Sequence, residues 1–140
     1  MDWLERKKTL KEKLKTLSEY EAEAKKSFQK WVRLRDEGLP CISCGVPNPQ
    51  DAHGSHYYEA GKYSGLIFNP MNAHKSCKKC NVFLSGNLLE YRKGLIERYG
   101  VAYVEKLESL ADSGRYKKYT KEELIQVKKT YDSLIKQLEK

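Results

Sequence analysis

The 140 residues hold 27 Lys/Arg against 19 Asp/Glu, a net charge of +8, and are 39% hydrophobic and 33% charged. That length suits one compact domain with extensions, and that composition leaves a core small for its surface. No apolar run approaches the roughly 20 residues that cross a bilayer, and the start MDWLERKKTL has no secretory apolar segment. Membrane and exported roles are therefore set aside, and a cytoplasmic chain in a bacterial or phage-infected cell is expected. The basic balance points to a polyanionic partner, nucleic acid before membrane.

In chain order, residues 1–36 read as one long helix. Trp3, Leu10, Leu14, Leu17, Ala24, Phe28 and Trp31 keep a three-four spacing, interrupted only by Glu21. Residues 1–35 hold eleven Lys/Arg against six Asp/Glu, a net of +5. Gly38 and Pro40 end this helix. A stripe of that length exceeds what a small core covers, which favours a homodimer, with DNA contact or packing on its own domain as the other uses.

Residues 46–51 form a turn-rich loop. Residues 52–58 can form a first strand, 61–65 a turn and 66–68 a second strand, broken by Asn69-Pro70. A helix is expected from residue 77 to about 84, ended by Ser85-Gly86. Asn87, with Glu90 three residues on, caps a helix over 88–99 that Gly100 closes. Residues 101–110 form another, and Asp112-Ser113-Gly114 is a linker. Thr120, with Glu123 three residues on, caps a last helix striped by Leu124, Val127, Tyr131, Leu134 and Leu138. The fold class is α+β, mostly helical.

All four cysteines and all three histidines fall within residues 41–81. The cysteines form two pairs, Cys41-x-x-Cys44 and Cys77-x-x-Cys80, with 32 residues between them. Each CxxC knuckle delivers two thiolates from one tight turn, the donor set of a tetrahedral structural zinc site. Disulfides fit less well, because a chain of this length does not need them and the paired spacing suits a metal. With four thiolates no coordination position is left open, so zinc here staples rather than catalyses.

His56, Asn72 and Asn81, the last directly after Cys80, stand in an order that resembles the HNH, or ββα-metal, nucleases. Further strings narrow this: Ile67-Phe68-Asn69, Asn72-x-His74, Cys77-x-x-Cys80-Asn81, and Ser85-Gly86-Asn87 with Glu90-Tyr91-Arg92. They are similar to the NinG (Rap) family of phage recombination proteins over about residues 25–110, and the Cys-x-x-Cys-Asn ending is similar to that of phage endonuclease VII. Together with the helical spacing on either side, this divides the chain into three parts: a basic amphipathic helix over 1–37, a core over 38–86 that the resemblance makes a zinc-bound ββα-metal nuclease, and a helical region over 87–140. The resemblance implies a metal-dependent endonuclease cutting branched recombination intermediates such as Holliday junctions and D-loops. A non-catalytic zinc-stabilised DNA-binding module and a nicking enzyme without junction preference are the alternatives.

Under that resemblance His56 is the general base, since a neutral imidazole can take a proton at cellular pH. Asn72 pins a loop by bonding backbone groups. Asn81 offers an amide oxygen to Mg²⁺ or Mn²⁺, hard cations that prefer oxygen and keep waters. The residue before the base is Ser55, where many HNH enzymes place an Asp or His, so a second cation ligand must come from elsewhere: His53 first, then Asp51 or Ser85. His74 touches the scissile phosphate or braces the loop. Lys75, Lys78, Lys79, Arg92 and Lys93 are expected to hold phosphates. Tyr57, Tyr58 and Tyr63 are open to stacking on unpaired bases or to packing, and Phe83 is expected in the core.

Overall fold

A computed structural model describes residues 2–13 and 15–140. Five α-helices and one two-stranded sheet build it: α1 Trp3–Lys13, α2 Leu17–Arg35, β1 His53–His56, β2 Ala73–Ser76, α3 Leu88–Tyr99, α4 Val101–Ser113 and α5 Lys121–Leu138. The fold is thus mostly helical α+β, as expected. No helix among the described residues is long and apolar enough to cross a membrane.

The expected single N-terminal helix is two. Thr16 takes an extended backbone and its side chain accepts the Glu19 N–H at 3.2 Å, capping a new helix. Leu14, read as part of the apolar stripe, lies outside the described residues. Trp3, Leu4 and Leu10 of α1 are exposed, whereas Ala24, Phe28 and Val32 of α2 are buried. Only the second half of the stripe therefore joins the core of this chain.

α2 packs along α5. Tyr20 meets Lys121, Phe28 meets Tyr131 and Lys30 meets Glu139. The pairs ascend together, so the two helices run parallel. The Thr120 capping box that starts α5 is formed as expected, with Glu123 as its partner.

The second strand is not at residues 66–68. Ser64–Leu66 form a 3-10 turn, and the strand that pairs with β1 is Ala73–Ser76, antiparallel, with His56 opposite Ala73 and His53 opposite Ser76. Leu66 and Ile67 are buried by the turn, so an apolar run that reads as a strand is core filling. Asn72 therefore precedes β2 rather than following it.

The small sheet is a wall between two cores. Ala73 faces Phe28, Val32 and Tyr131 of the α2–α5 layer. On the other side Ile42, Tyr91, Leu95, Val104 and Leu107 form the α3–α4 core. The end of α2 is tied to β2 through polar groups. The Arg35 guanidinium donates to the carbonyls of Pro70 and Ala73 and to the Asp36 carboxylate, which accepts the Lys75 N–H at 2.9 Å. Burial pushes the Asp36 carboxyl up, but the Arg35 bonds and charge outweigh it and hold it below the usual range.

α3 spans the expected residues, but Asn87 does not cap it. Asn87 sits in the left-handed region and turns its amide to the Cys80 sulfur at 3.6 Å, because a sulfur acceptor there competes with the helix start. Further along, α3 presses on the first cysteine knuckle, and a Cβ on Gly94 would collide with the Ile42 carbonyl oxygen. A Gly to Ala change inside a helix ordinarily gains about 1 kcal/mol, whereas a backbone collision in a packed core costs about 1–3 kcal/mol. Gly94→Ala is therefore expected to lower the urea midpoint, while Gly61→Ala, whose nearest atom is a flexible Glu59 oxygen at 4.0 Å, leaves it unchanged.

Candidate functional site

The four cysteines converge. All are free thiols, and their Sγ atoms lie within 4.8 Å of one another. The Cys44–Cys77 sulfur separation of 3.7 Å matches the edge of about 3.8 Å that follows from a Zn–S distance of about 2.3 Å in a tetrahedron. This donor set can hold a metal such as zinc. Burial pushes the Cys41 thiol up, but backbone N–H groups of Cys44, Cys77 and Ser43 aimed at its sulfur outweigh that and bring it to about 7. Such donors favour a thiolate.

The cluster organises its surroundings. Ile42, inside the first knuckle, donates its N–H to the Lys75 carbonyl at 3.0 Å and so extends the sheet edge. Ser43 Oγ donates to the Gly86 carbonyl at 3.1 Å. The second knuckle leads into a single π-helical turn, Lys79–Phe83, which carries Asn81. The helix expected at residues 77–84 is therefore short and wide.

Asn81 and His56 line one cleft of about 440 Å³ with Tyr57, Glu59, Ser85 and Leu88. Ser55 Oγ donates to Asn81 Oδ1 at 2.8 Å and so orients the carboxamide. His56 lies against Phe28, ring centroids 6.1 Å apart, and its Nε2 is 2.8 Å from the Ile67 carbonyl. A carbonyl only accepts, so Nε2 carries the proton of the neutral ring and Nδ1 keeps its lone pair. Burial, assisted by the charge of Lys25 and opposed by the Ile67 bond, lowers the His56 pKa and keeps the ring neutral at cellular pH.

Asn72 is fully buried and does bond backbone groups. Its Oδ1 accepts the Tyr58 N–H at 2.8 Å, and its Nδ2 donates to the Tyr58 carbonyl at 3.0 Å and the Leu66 carbonyl at 3.4 Å. The loop it pins is the one joining β1 to β2, which fixes Tyr57 at the cleft.

His74 is enclosed between two tyrosines. It is 0% exposed, with Nδ1 3.0 Å from the Tyr91 hydroxyl and Nε2 3.1 Å from the Tyr103 hydroxyl. Tyr91 donates to the Ser55 carbonyl at 2.6 Å, so it accepts from Nδ1–H, and Nε2 accepts from Tyr103. The longer Tyr103–Met71 contact, 3.2 Å, is the one left without a proton.

The remaining expected residues separate. His53 lies at the far end of β1, outside the cleft lining, as does Asp51; of the three candidate cation ligands only Ser85 lines it. Lys75 is 7% exposed, its β2 backbone bonded to Asp36 and Ile42, so its side chain is not presented to a ligand as Lys78 and Lys79 are. Arg92 pairs with Glu108 and Lys93 with Glu90 on the exposed side of α3. Tyr57, Tyr58 and Tyr63 are half-buried and pack in series, Tyr57 edge-on to Tyr58 and Tyr58 tilted against Tyr63, centroids 5.0 and 4.8 Å apart. Phe83, expected in the core, is 73% exposed; the π-turn points it outward. Glu59 was not singled out from the sequence, yet it is the only carboxylate in the cleft lining among the described residues. Its place three residues after His56 was the available signal.

Two predictions rest on this geometry. Cys77→Ser is expected to lose bound zinc by elemental analysis and to melt at least about 10 °C lower, because a closed structural site contributes folding free energy. His74, lowered to about 3 by burial and the nearby Arg35 charge, takes up a proton near pH 6.5 only when unfolded. Its contribution to stability is full above pH 6.5 and is lost as pH falls from there toward 3, at roughly 1.4 kcal/mol per unit. The urea midpoint of wild type should therefore drop more between pH 7 and 4.5 than that of His74→Gln; equal slopes would contradict the assignment.

The family model for the bacteriophage lambda NinG protein matches residues 3–140. The chain is similar to Protein ninG of Salmonella phage P22, 38% identical over 125 residues, covering 89% of this chain and 60% of that protein. It is 37% identical to Protein ninG of Escherichia phage lambda over the same shares, and 36% identical to that of Escherichia phage 933W, covering 89% and 61%. The chain spans about 60% of the length of these curated relatives. No solved structure matches it.

Proposed function

The chain belongs to the phage NinG family, and from that membership we propose that it is a metal-dependent endonuclease of the ββα-metal, HNH-like kind that cuts branched recombination DNA. The observation that carries the reading is the shared cleft of His56 and Asn81, with the His56 ring held as the Nε2–H tautomer by Ile67. A pure binding module has no use for a neutral imidazole oriented in this way beside a carboxamide fixed by Ser55.

The roles follow from the atoms. His56 Nδ1 takes a proton from water, the water oxygen attacks phosphorus, the bond to the leaving oxygen breaks, and that oxygen takes a proton from solvent. The Asn81 Oδ1, the Ser85 hydroxyl and the Glu59 carboxylate are hard oxygen donors lining the cleft, the set that suits Mg²⁺ or Mn²⁺. When bound there, such a cation supplies positive charge to the non-bridging and leaving oxygens. Asn72 keeps the β1–β2 loop, and hence one wall of the cleft, in place. The four-thiolate cluster anchors Asn81 through the knuckle that precedes it.

Incubating the chain with Mn²⁺ and either a synthetic four-way junction or a linear duplex tests this. Wild type is expected to cut the junction. His56→Gln, whose amide can still donate to Ile67 but cannot serve as a base, should cut at least about 100-fold more slowly with its zinc content unchanged. Identical uncut products from both proteins would make the chain a zinc-stabilised DNA-binding module. Equal cutting of junction and duplex would make it a nicking enzyme without junction preference.

A further inference from the structure

Between the second cysteine knuckle and the first turns of α3, the chain exposes five large apolar side chains: Val82, Phe83, Leu84, Leu88 and Leu89. Phe83 is 73% exposed and Leu89 80%. Loose packing does not account for this. The segment is held by backbone bonds from Leu84 N–H to the Lys79 carbonyl, from Gly86 N–H to Cys80 and from Asn87 N–H to Leu84, and by the Ser43–Gly86 bond to the first knuckle. A rigid apolar tip of this kind in water marks a contact surface.

Two further observations identify the occupant. Lys79, at the start of the π-helical turn, and Lys78 just before it are exposed and form no ion pair among the described residues, so cations stand beside the tip. Leu88 also lines the cleft of His56 and Asn81, so the apolar surface runs directly into the candidate catalytic site. Self-association through this patch would bring the same two lysines of each copy together around a two-fold axis, which like-charge repulsion opposes. A partner that is anionic at its backbone and apolar at its faces satisfies both features. Duplex DNA offers the phosphates but hides its base faces in the stack. Unpaired or branch-point DNA offers both.

We propose that the Val82–Phe83–Leu84 tip is a wedge that stacks on unpaired bases at a DNA branch point, with Lys78 and Lys79 on the adjoining phosphates, and that it is the substrate-selecting element beside the cleft. The proposal rests on the DNA-binding part of the function proposed above, and it locates the preference for branched substrates in Phe83 rather than in the cleft. Aromatic–base stacking is tolerant of sequence, so the wedge selects structure and not base identity.

The test measures binding in Ca²⁺, by fluorescence anisotropy, of the full chain to a four-way junction and to a linear duplex of the same composition. Wild type is expected to prefer the junction. Phe83→Ala should lose about tenfold in junction affinity with little change on duplex, and Phe83→Trp should restore the preference. Phe83 is exposed, so neither variant should alter the melting temperature. Equal losses on both substrates, or none, would overturn the wedge. A change from dimer to monomer in sedimentation with junction preference intact would overturn it too, and would assign the patch to self-association. Cleavage by wild type in Mn²⁺ is a separate readout: a chain that prefers junctions through Phe83 but cuts nothing keeps the wedge and loses the nuclease.

Discussion

Four sulfurs within 4.8 Å of one another hold together two parts of the chain that are 32 residues apart. Most of what positions the site is attached to that cluster. Ile42 extends the sheet from one knuckle, Ser43 reaches across to Gly86, and Asn87 gives up its capping role to bond Cys80. Asn81 follows Cys80 directly and turns on the π-helical turn that the knuckle starts. A chain with two small cores and a sheet of two four-residue strands has little apolar burial with which to impose such an arrangement. A metal held by the four thiolates would supply what hydrophobic contacts here cannot.

The sheet then decides the fate of the histidines it carries. His56 and His74 are both pushed toward the neutral form by burial, yet they stand on opposite faces. His74 points into the α3–α4 core, where Tyr91 and Tyr103 occupy both ring nitrogens and leave it nothing to do but brace. His56 sits at the strand's end against Phe28, with one nitrogen used by Ile67 and the other left with its lone pair. What separates the two histidines is one hydrogen-bond partner and one register position in the sheet.

The cysteine donor set and the Thr120 cap were legible in the residues. CxxC pairs converge because each already brings two donors from one turn, and Thr120 with Glu123 forms its capping box because both partners lie within four residues. Where a residue had two claims on it, the local reading failed. Asn87 has the chemistry of a cap but bonds sulfur. Thr16 reads as one more residue of a long helix but starts a new one. Leu66 and Ile67 read as a strand because a short apolar run has no period to distinguish a strand from a packed turn. Lys75 and Phe83 exchange expectations, the lysine buried on β2 and the phenylalanine outside, since neither burial is decided by the residue's own polarity.

Residue types at short, fixed spacing carry the donor set, the positions of the C-terminal helices, the basic balance and the family resemblance. Which strand pairs with β1, which histidine keeps a nitrogen lone pair, that Ser55 orients Asn81, and which side chains meet in the cleft emerge only in the folded chain. Those depend on contacts between segments tens of residues apart, and a face, a partner or a depth of burial exists only once the chain has closed on itself.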